Sequence, residues 1–274
     1  MLDLTRASLC GVLVALPLVA AAQQNDLPLW EIGVVGGAVS TPAYPGADDR
    51  SSRLLVLPAP IYRGKIFRSD ETGIGARLFR SDRAEFDVGF AASLPSRSDE
   101  ADARAGMPDL GTLVEFGPRL KLTLLRREFS RLRLDLPMRT VIEGRGGLRN
   151  QGWNFAPRLV YEMDDAGTGC SGDLHIRGVA ANEKLNSYFY EVRPEFATAQ
   201  RPAYEAKKGL VLVRAGGFAS RKINPDLRVF GYLWYENYAR SANDESPLFR
   251  KSSGASAGVG FLWTLARSSR RVSE

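Results

Sequence analysis

The stretch Leu110–Glu143 limits the possible folds of this chain more than any other, because apolar and polar residues alternate along two long limbs. A period of two is typical of β-strands, whereas an α-helix of the same residues would spread the charges around its whole circumference. Each limb runs for about a dozen residues, twice the length of an ordinary globular strand. The turn Arg126–Ser130 joins the limbs, so the stretch predicts a long β-hairpin.

One side of this hairpin is entirely apolar, and the other side carries charges of both signs. In the first limb, for example, Val114 and Leu120 share one face, whereas Glu115 and Arg119 share the opposite face. Membrane-spanning barrel strands have this pattern, with apolar residues towards lipid and polar residues towards the lumen. A half-buried hairpin in a soluble sandwich is the alternative that this stretch alone leaves open.

The connections between the other alternating runs favour the membrane barrel. About twelve runs with a period of two lie between Trp30 and Leu265. Links from even-numbered to odd-numbered runs are mostly short, as at Arg63–Gly64, and the other links are mostly long, as at Ser40–Arg53 and Asn182–Lys208. Outer-membrane barrels have short periplasmic turns, long external loops and an even strand number. We therefore predict an all-β fold, a transmembrane antiparallel up-and-down β-barrel of about 12 strands.

The N-terminal residues have the pattern of a secretory signal. An apolar run, Leu9–Val19, follows a basic residue and precedes the small residues Ala20–Ala22. We expect residues 1–22 to be a cleaved signal peptide, residues 23–274 to form the outer-membrane barrel, and residues 265–274 to be a basic C-terminal tail. A secretory route excludes nucleic acid as a partner despite the basic composition of the chain.

The excess of positive charge lies mostly at the predicted periplasmic end, on the N-terminal stub, the short turns and the C-terminal tail together. The whole chain has 37 lysine and arginine residues against 31 aspartate and glutamate residues. A basic rim attracts anionic partners such as phospholipid head groups, peptidoglycan carboxylates or an acidic protein surface, and the alternative is a role in solubility and topology alone. The residues of this periplasmic basic rim are Arg63, Lys65, Arg80, Arg83, Arg126, Arg127, Arg221 and Lys222.

A second set of charged residues is expected to face the lumen. Opposite charges on neighbouring strands would pair there and form a plug that stabilises the barrel. The functional alternative is a constriction that selects small anions, since cations outnumber carboxylates in the set. The residues of this lumen charge cluster are Glu115, Arg119, Lys121, Arg131, Arg133, Asp135, Arg139, Arg158 and Glu162.

Aromatic residues near the strand ends are expected to form girdles at the lipid interface, with ordinary core packing as the alternative. The residues concerned are Trp30, Trp153, Tyr161, Trp234, Tyr235, Tyr238 and Trp263.

The sequence contains no motif that predicts catalysis, a cofactor or a metal. Its single histidine, His175, is expected to face the lumen beside Asp173, where a satisfied structural histidine is the simpler interpretation. There is no Cys/His cluster of metal-binding spacing and no glycine-rich phosphate loop between a strand and a helix. We therefore predict a protein that is not an enzyme. A lipid-cleaving or peptide-cleaving barrel is the least favoured hypothesis.

With the loop order in place, the chain resembles the MipA/OmpV family of outer-membrane proteins. The first long loop, with Tyr44, Gly46, Asp48 and Asp49, is similar to the Tyr-x-Gly-Ser-Asp-Asp segment of that family. Other short segments are similar to family segments in the same order along the chain, and together they extend the resemblance over most of the mature sequence. These segments are Leu57–Gly64, Gly73–Leu78, Ser187–Tyr190, Arg201–Ala206 and Ser246–Leu248.

The resemblance implies a protein of the Gram-negative outer membrane that contacts outer-membrane lipid. It also implies a scaffold that holds a lytic murein transglycosylase near a murein synthase on the periplasmic side, for remodelling of the peptidoglycan. A narrow, anion-preferring solute channel is the alternative function. Two segments depart from the family: family chains end at an aromatic residue, whereas a basic tail follows Trp263 here, and the loop Arg145–Gln151 is rich in Gly and Arg.

Overall fold

The computed structural model describes residues 27–70, 73–93, 95, 101–144 and 147–272, so the expected signal peptide lies outside the described residues. One sheet contains 13 strand segments, and two of these pair with the same neighbour and form a single interrupted strand. The described chain therefore forms a barrel of twelve antiparallel strands, which confirms the predicted fold class. The strands are β1 (Trp30–Pro42), β2 (Arg50–Arg63), β3 (Phe67–Asp70), β4 (Gly73–Arg80), β5 (Ala84–Ser93), β6 (Leu113–Arg126), β7 (Ser130–Glu143), β8a (Arg149–Phe155), β8b (Arg158–Met163), β9 (Cys170–Ala181), β10 (Gly209–Lys222), β11 (Leu227–Asn237) and β12 (Ser253–Arg267).

The barrel closes because the last strand pairs with the first. The register of β12 against β1 runs from Ala257 opposite Ser40 to Arg267 opposite Glu31. Closure pairs the backbone groups of the first and last strands, which suits strands in a hydrocarbon environment. Pairing is shortest between β2 and β3, where only Tyr62 lies opposite Ser69 and Arg63 opposite Arg68. The eighth strand is interrupted at Pro157, since proline has no N–H to give to the ladder.

The first and last described residues lie at the same end of the barrel as the short turns. Leu27–Pro28 pairs with Arg271–Val272 in a small two-stranded sheet, and the backbone N–H of Ser268 donates to the carbonyl of Trp30 over 2.9 Å. The expected C-terminal tail is thus attached to the N-terminal segment, and strand β12 continues through Arg267. We call this the short-turn end.

The two faces of the strands have the opposite arrangement to a soluble protein. Large apolar side chains point outward and are exposed, with 86% exposure at Leu54 and 67% at Val259. Charged side chains point inward and are buried, with 3% exposure at Asp87 and 4% at Arg133. An apolar exterior around a polar interior suits a sheet surrounded by lipid.

The long connections at the opposite end pack together into what we call the loop cap, residues 43–49, 101–112, 182–208 and 238–252. Its one α-helix in the described chain, α1 (Glu183–Tyr190), begins after Asn182, whose side-chain oxygen accepts the N–H of Leu185. Short 3-10 helices cover Asp102–Arg104 and Pro194–Phe196. No helix of the described residues has the length and apolar character needed to cross a bilayer.

Among the residues that the structure describes, most of the buried apolar side chains lie in the loop cap. Tyr190 and Leu248 are completely buried there, and Tyr238 is 1% exposed. The prediction that Tyr238 belongs to an aromatic girdle is therefore wrong, because Tyr238 lies beyond the end of β11 and is buried in the loop cap. Trp234 is also outside any girdle, since it pairs with Gly216 on the inward face and stacks on Tyr232 at 4.3 Å between ring centroids. The other expected girdle residues are exposed on the outer surface, namely Trp30, Trp153, Tyr161, Tyr235 and Trp263.

Candidate functional site

Inward-facing charges on β5 and β6 form the first part of the lumen network. The guanidinium of Arg119 donates two hydrogen bonds to Asp87, over 2.9 and 2.7 Å. The ammonium of Lys121 lies 2.9 Å from Asp87 and 2.8 Å from Glu85. Glu85 also contacts Arg77 at 2.8 Å, so three strands are joined through their side chains.

The second part of the network joins β7 to β8b. Arg133 donates to Asp135 over 2.6 and 3.1 Å and lies 2.7 Å from Glu162. Arg131 donates to the same Glu162 over 2.6 Å. Arg158 approaches Asp135 only to 3.4 Å, because Asp135 is already held by Arg133.

The third part lies nearer the loop cap. Arg139 is 3.7 Å from Glu115, and the side-chain amide of Asn154 donates to Glu115 over 3.1 Å. The structure thus gives each member of the expected lumen cluster a partner of opposite charge. The sequence interpretation did not include Glu85 and Asp87 in the set, although both alternate with apolar residues along β5, which is the signal that could have found them.

Strands β9 to β11 form a second wall of the lumen, which combines charge with aromatic rings. His175 shares a 2.7 Å hydrogen bond with Asp173, so it faces the lumen beside that residue as predicted. Arg214 donates to Glu236, and its guanidinium lies over the ring of Trp234 at 4.6 Å. Among the described residues, no group of His, Cys, Asp and Glu is arranged to hold a metal ion.

The charged side chains of the network are buried, and they occupy part of the lumen. Arg119, Lys121, Arg133, Asp135 and Arg139 are each at most 9% exposed. Long charged side chains with so little access to water lie against each other and fill the inner side of β5–β8. Ion pairs of this kind hold strands in one register, because separating them leaves charges without partners in a place of low polarity.

The residues of the expected basic rim lie on or beside the turns at the short-turn end. Arg63 differs from the others, because it is 2.7 Å from Glu31 and donates to the carbonyl of Pro28. It therefore fastens the N-terminal segment to β2. The side chains of the other rim residues are exposed, namely Lys65, Arg80, Arg83, Arg126, Arg127, Arg221 and Lys222.

The loop that carries the family resemblance lies inside the loop cap. The hydroxyl of Tyr44 donates to the carbonyl of Leu248 over 2.7 Å, and burial raises the pKa of Tyr44 so that it stays a neutral donor. The carboxylate of Asp49 accepts the N–H of Asp102 over 2.8 Å, and Asp48 lies 3.7 Å from Arg250. This loop therefore binds the other cap segments together.

A backbone turn at Gly46 completes these contacts. Its φ of +84° is a conformation that glycine adopts without strain, and its carbonyl accepts the N–H groups of Arg250 and Lys251 over 2.8 and 3.0 Å. Family-like segments that are distant in the sequence also meet here, since the hydroxyl of Ser246 donates to the carbonyl of Tyr190 over 2.7 Å.

A cavity of about 640 Å³ opens at the surface of the loop cap, between α1 and residues 104–110. Tyr188 lines it and donates to Glu143 over 2.9 Å, and burial together with this hydrogen bond raises the pKa of Tyr188. Arg104 lines another side, and burial lowers the pKa of its guanidinium. Arg104 donates to the carbonyls of Phe189 and Pro108, so its role in the cap is structural.

A closed twelve-strand sheet with an apolar outside, a charged inside, short turns at one end and packed loops at the other defines an outer-membrane β-barrel. The chain belongs to the MipA family, whose sequence model, described as MltA-interacting protein MipA, matches residues 33–265. The resemblance drawn from the short loop and strand segments is thereby confirmed.

Solved structures of outer-membrane proteins are similar to this chain at low identity. The NanC porin has 11% identity and a TM-score of 0.40, covering 85% of this chain and 100% of that one. An active-site mutant of outer membrane phospholipase A from Escherichia coli has 12% identity and a TM-score of 0.36, covering 89% and 94%. The outer membrane protease OmpT from Escherichia coli has 8% identity and a TM-score of 0.30, covering 90% and 99%. No curated protein sequence gives a significant match. Identities and TM-scores this low give no basis for assigning the activities of those proteins to this chain.

Proposed function

We propose that this protein is a non-enzymatic scaffold of the Gram-negative outer membrane, which binds a murein transglycosylase of the MltA type at its short-turn end. In this role the short-turn end faces the periplasm, as in other barrels with short turns and long loops at opposite ends. A murein synthase held by the transglycosylase would complete the assembly, for remodelling of the peptidoglycan.

The observation that carries the proposal is the contrast between the interior and the short-turn end. Inside the barrel, the charged side chains of β5–β8 are buried and paired with each other, which leaves little room for a solute path along that wall. At the short-turn end, by contrast, the rim arginines and lysines are exposed to solvent. Exposed like charges on one rim steer an acidic partner surface and set its orientation. The family name, MltA-interacting protein, supports the class of partner.

The proposal includes the absence of catalysis. His175 is the single histidine of the chain, and its imidazole is hydrogen bonded to Asp173 on the inner wall. We infer that this pair is structural. The substitution His175→Ala is expected to leave partner binding unchanged.

The test measures binding of a purified soluble transglycosylase to the complete barrel in detergent micelles. A variant that neutralises four exposed rim residues is expected to bind about tenfold more weakly, with a smaller dependence on salt. The rim variant combines Arg80→Gln, Arg83→Gln, Arg126→Gln and Arg127→Gln. A matched control removes the same charge from exposed residues at the opposite end, and it is expected to bind like the wild type. The control combines Arg149→Gln, Arg193→Gln, Lys208→Gln and Arg240→Gln.

Equal loss of binding in both variants would show that total charge matters and that the rim does not. Binding that the rim variant leaves unaffected, or that is absent in the wild type, would contradict the scaffold proposal. Planar-bilayer recordings examine the channel alternative separately, and we expect no conductance steps from the wild-type barrel.

A further inference from the structure

One row of inward side chains breaks the alternation of charge around the lumen. Neighbours in this row lie directly opposite each other on adjacent strands, where opposite charges attract and like charges repel. Carboxylates and cations alternate in the first half of the row, but three arginines then follow each other. In order around the barrel the row is Glu85, Lys121, Asp135, Arg158, Arg177, Arg214 and Glu236.

The two outer arginines of the triplet have carboxylate partners, whereas the middle arginine, Arg177, has an arginine on each side. Arg158 lies 3.4 Å from Asp135, and Arg214 donates to Glu236. Arg177 is opposite an arginine on both sides, and its Nε atom is shielded from solvent with no acceptor within the described residues. Four charged side chains interact with Arg177, namely Arg214, Glu115, Arg139 and Arg158, and only Glu115 is negative.

Three other N–H donors on inward-facing side chains also lack acceptors among the described residues. The Nε atoms of Arg139 and Arg214 and the indole Nε1 of Trp234 are also shielded from solvent and have no hydrogen-bond partner in the described part of the chain. Buried N–H groups without acceptors are rare, since each one costs free energy comparable to a lost hydrogen bond. Arg177, Arg214 and Trp234 lie on the consecutive strands β9, β10 and β11, so their free N–H groups point to an acceptor that binds between them.

We propose that Arg158, Arg177 and Arg214 form a lumenal binding site for a small oxyanion, with Arg139 and Trp234 as additional donors. The ligand class is a solute with a carboxylate or phosphoryl group. Planar guanidinium groups donate pairs of parallel hydrogen bonds that match the oxygen atoms of such groups, whereas a halide offers no such geometry. This site lies inside the barrel and does not depend on partner binding at the short-turn end.

The experiment follows thermal unfolding and ligand binding of the complete barrel in detergent micelles. Sodium phosphate, sodium sulfate and sodium succinate are compared with sodium chloride at equal ionic strength. The wild type is expected to gain more thermal stability from at least one of the oxyanions than from chloride, because ligand binding stabilises the folded state. Phosphate and sulfate represent phosphoryl-type ligands, and succinate represents carboxylates, so the comparison identifies the preferred class.

Arg177→Gln is the decisive variant. It is expected to weaken oxyanion binding by about tenfold in calorimetric titration. In buffer without oxyanion it is expected to unfold no earlier than the wild type, since it removes a repulsive charge from the row. The control Arg53→Gln changes an inward arginine of β2, whose Nε donates to Ser51 over 3.0 Å, and it should keep the wild-type response.

Two results with the wild type and Arg177→Gln would overturn the proposal. The first is a wild-type response to oxyanions that is no larger than the response to chloride. The second is an oxyanion response that persists in Arg177→Gln. If that variant does not fold, Arg177→Lys takes its place, because lysine keeps the charge but loses the paired donors. Full binding by Arg177→Lys would likewise contradict the proposed guanidinium geometry, and weaker binding would support it.

Discussion

Replacing Arg133 should lower the free energy of unfolding more than replacing its partner Asp135. The side chains of Arg133 and Asp135, taken without their backbone atoms, are 5% and 4% exposed and are joined at 2.6 Å. In Arg133→Leu, Asp135 keeps only Arg158 at 3.4 Å, so a buried carboxylate loses its main partner. We expect a loss of about 3–5 kcal/mol in the free energy of unfolding. In Asp135→Leu, Arg133 keeps Glu162 at 2.7 Å, and we expect about 1–3 kcal/mol.

The double variant completes the argument. With both Arg133 and Asp135 replaced by Leu, no carboxylate is stranded at this position, so the barrel should be more stable than Arg133→Leu alone. The assay is urea unfolding of barrels folded in lipid vesicles, followed by tryptophan fluorescence and by heat-dependent gel mobility. The matched control is Arg193→Leu at an exposed pair, where Arg193 and Glu195 are 54% and 55% exposed and 3.1 Å apart. It should change stability by about 1 kcal/mol or less.

Equal losses in the two single variants, together with a double variant whose loss is their sum, would refute this account. Such additivity would mean that the buried charges act independently of each other and that the measured cost comes from packing alone.

Three further predictions concern the outer face and the loop cap. Val259→Arg places a charge on the lipid-facing side of β12 and should destabilise the barrel in vesicles by about 2–4 kcal/mol, whereas an exposed position of a soluble protein would tolerate it. Gly46→Ala should weaken the cap by about 1–3 kcal/mol, seen as faster proteolysis of the loops in an intact barrel, because φ is +84° and the new Cβ would lie 2.9 Å from Phe249. A hydrogen bond from Lys207 lowers the pKa of Glu245. The stabilisation from this exposed pair is therefore present at neutral pH and is lost as the pH falls through that pKa. Lys207→Gln should raise the pKa of Glu245, as measured by NMR titration.

The barrel could be predicted from the sequence because its signals are local. The long hairpin predicted within Leu110–Glu143, with its turn at Arg126–Ser130, is observed as the strands Leu113–Arg126 and Ser130–Glu143. Alternation with a period of two specifies which face of a strand is apolar without reference to any other strand. Loop lengths then specify which end of the barrel each connection occupies. In a soluble fold, the polar faces of the strands would be exposed and the apolar faces would be buried.

The pairing of charges and the packing of the loops were decided only by the tertiary structure. Parity places Arg177 on the inner face, but the register of three strands determines that it lies between Arg158 and Arg214. A shift of one residue would give each of these side chains other neighbours. In the same way, Tyr44 reaches Leu248 across the cap although 204 residues separate them. The sequence by itself therefore determined what kind of surface each strand presents, because that depends on neighbouring residues alone. The structure decided which side chains meet, because contacts between distant segments depend on how the whole barrel closes.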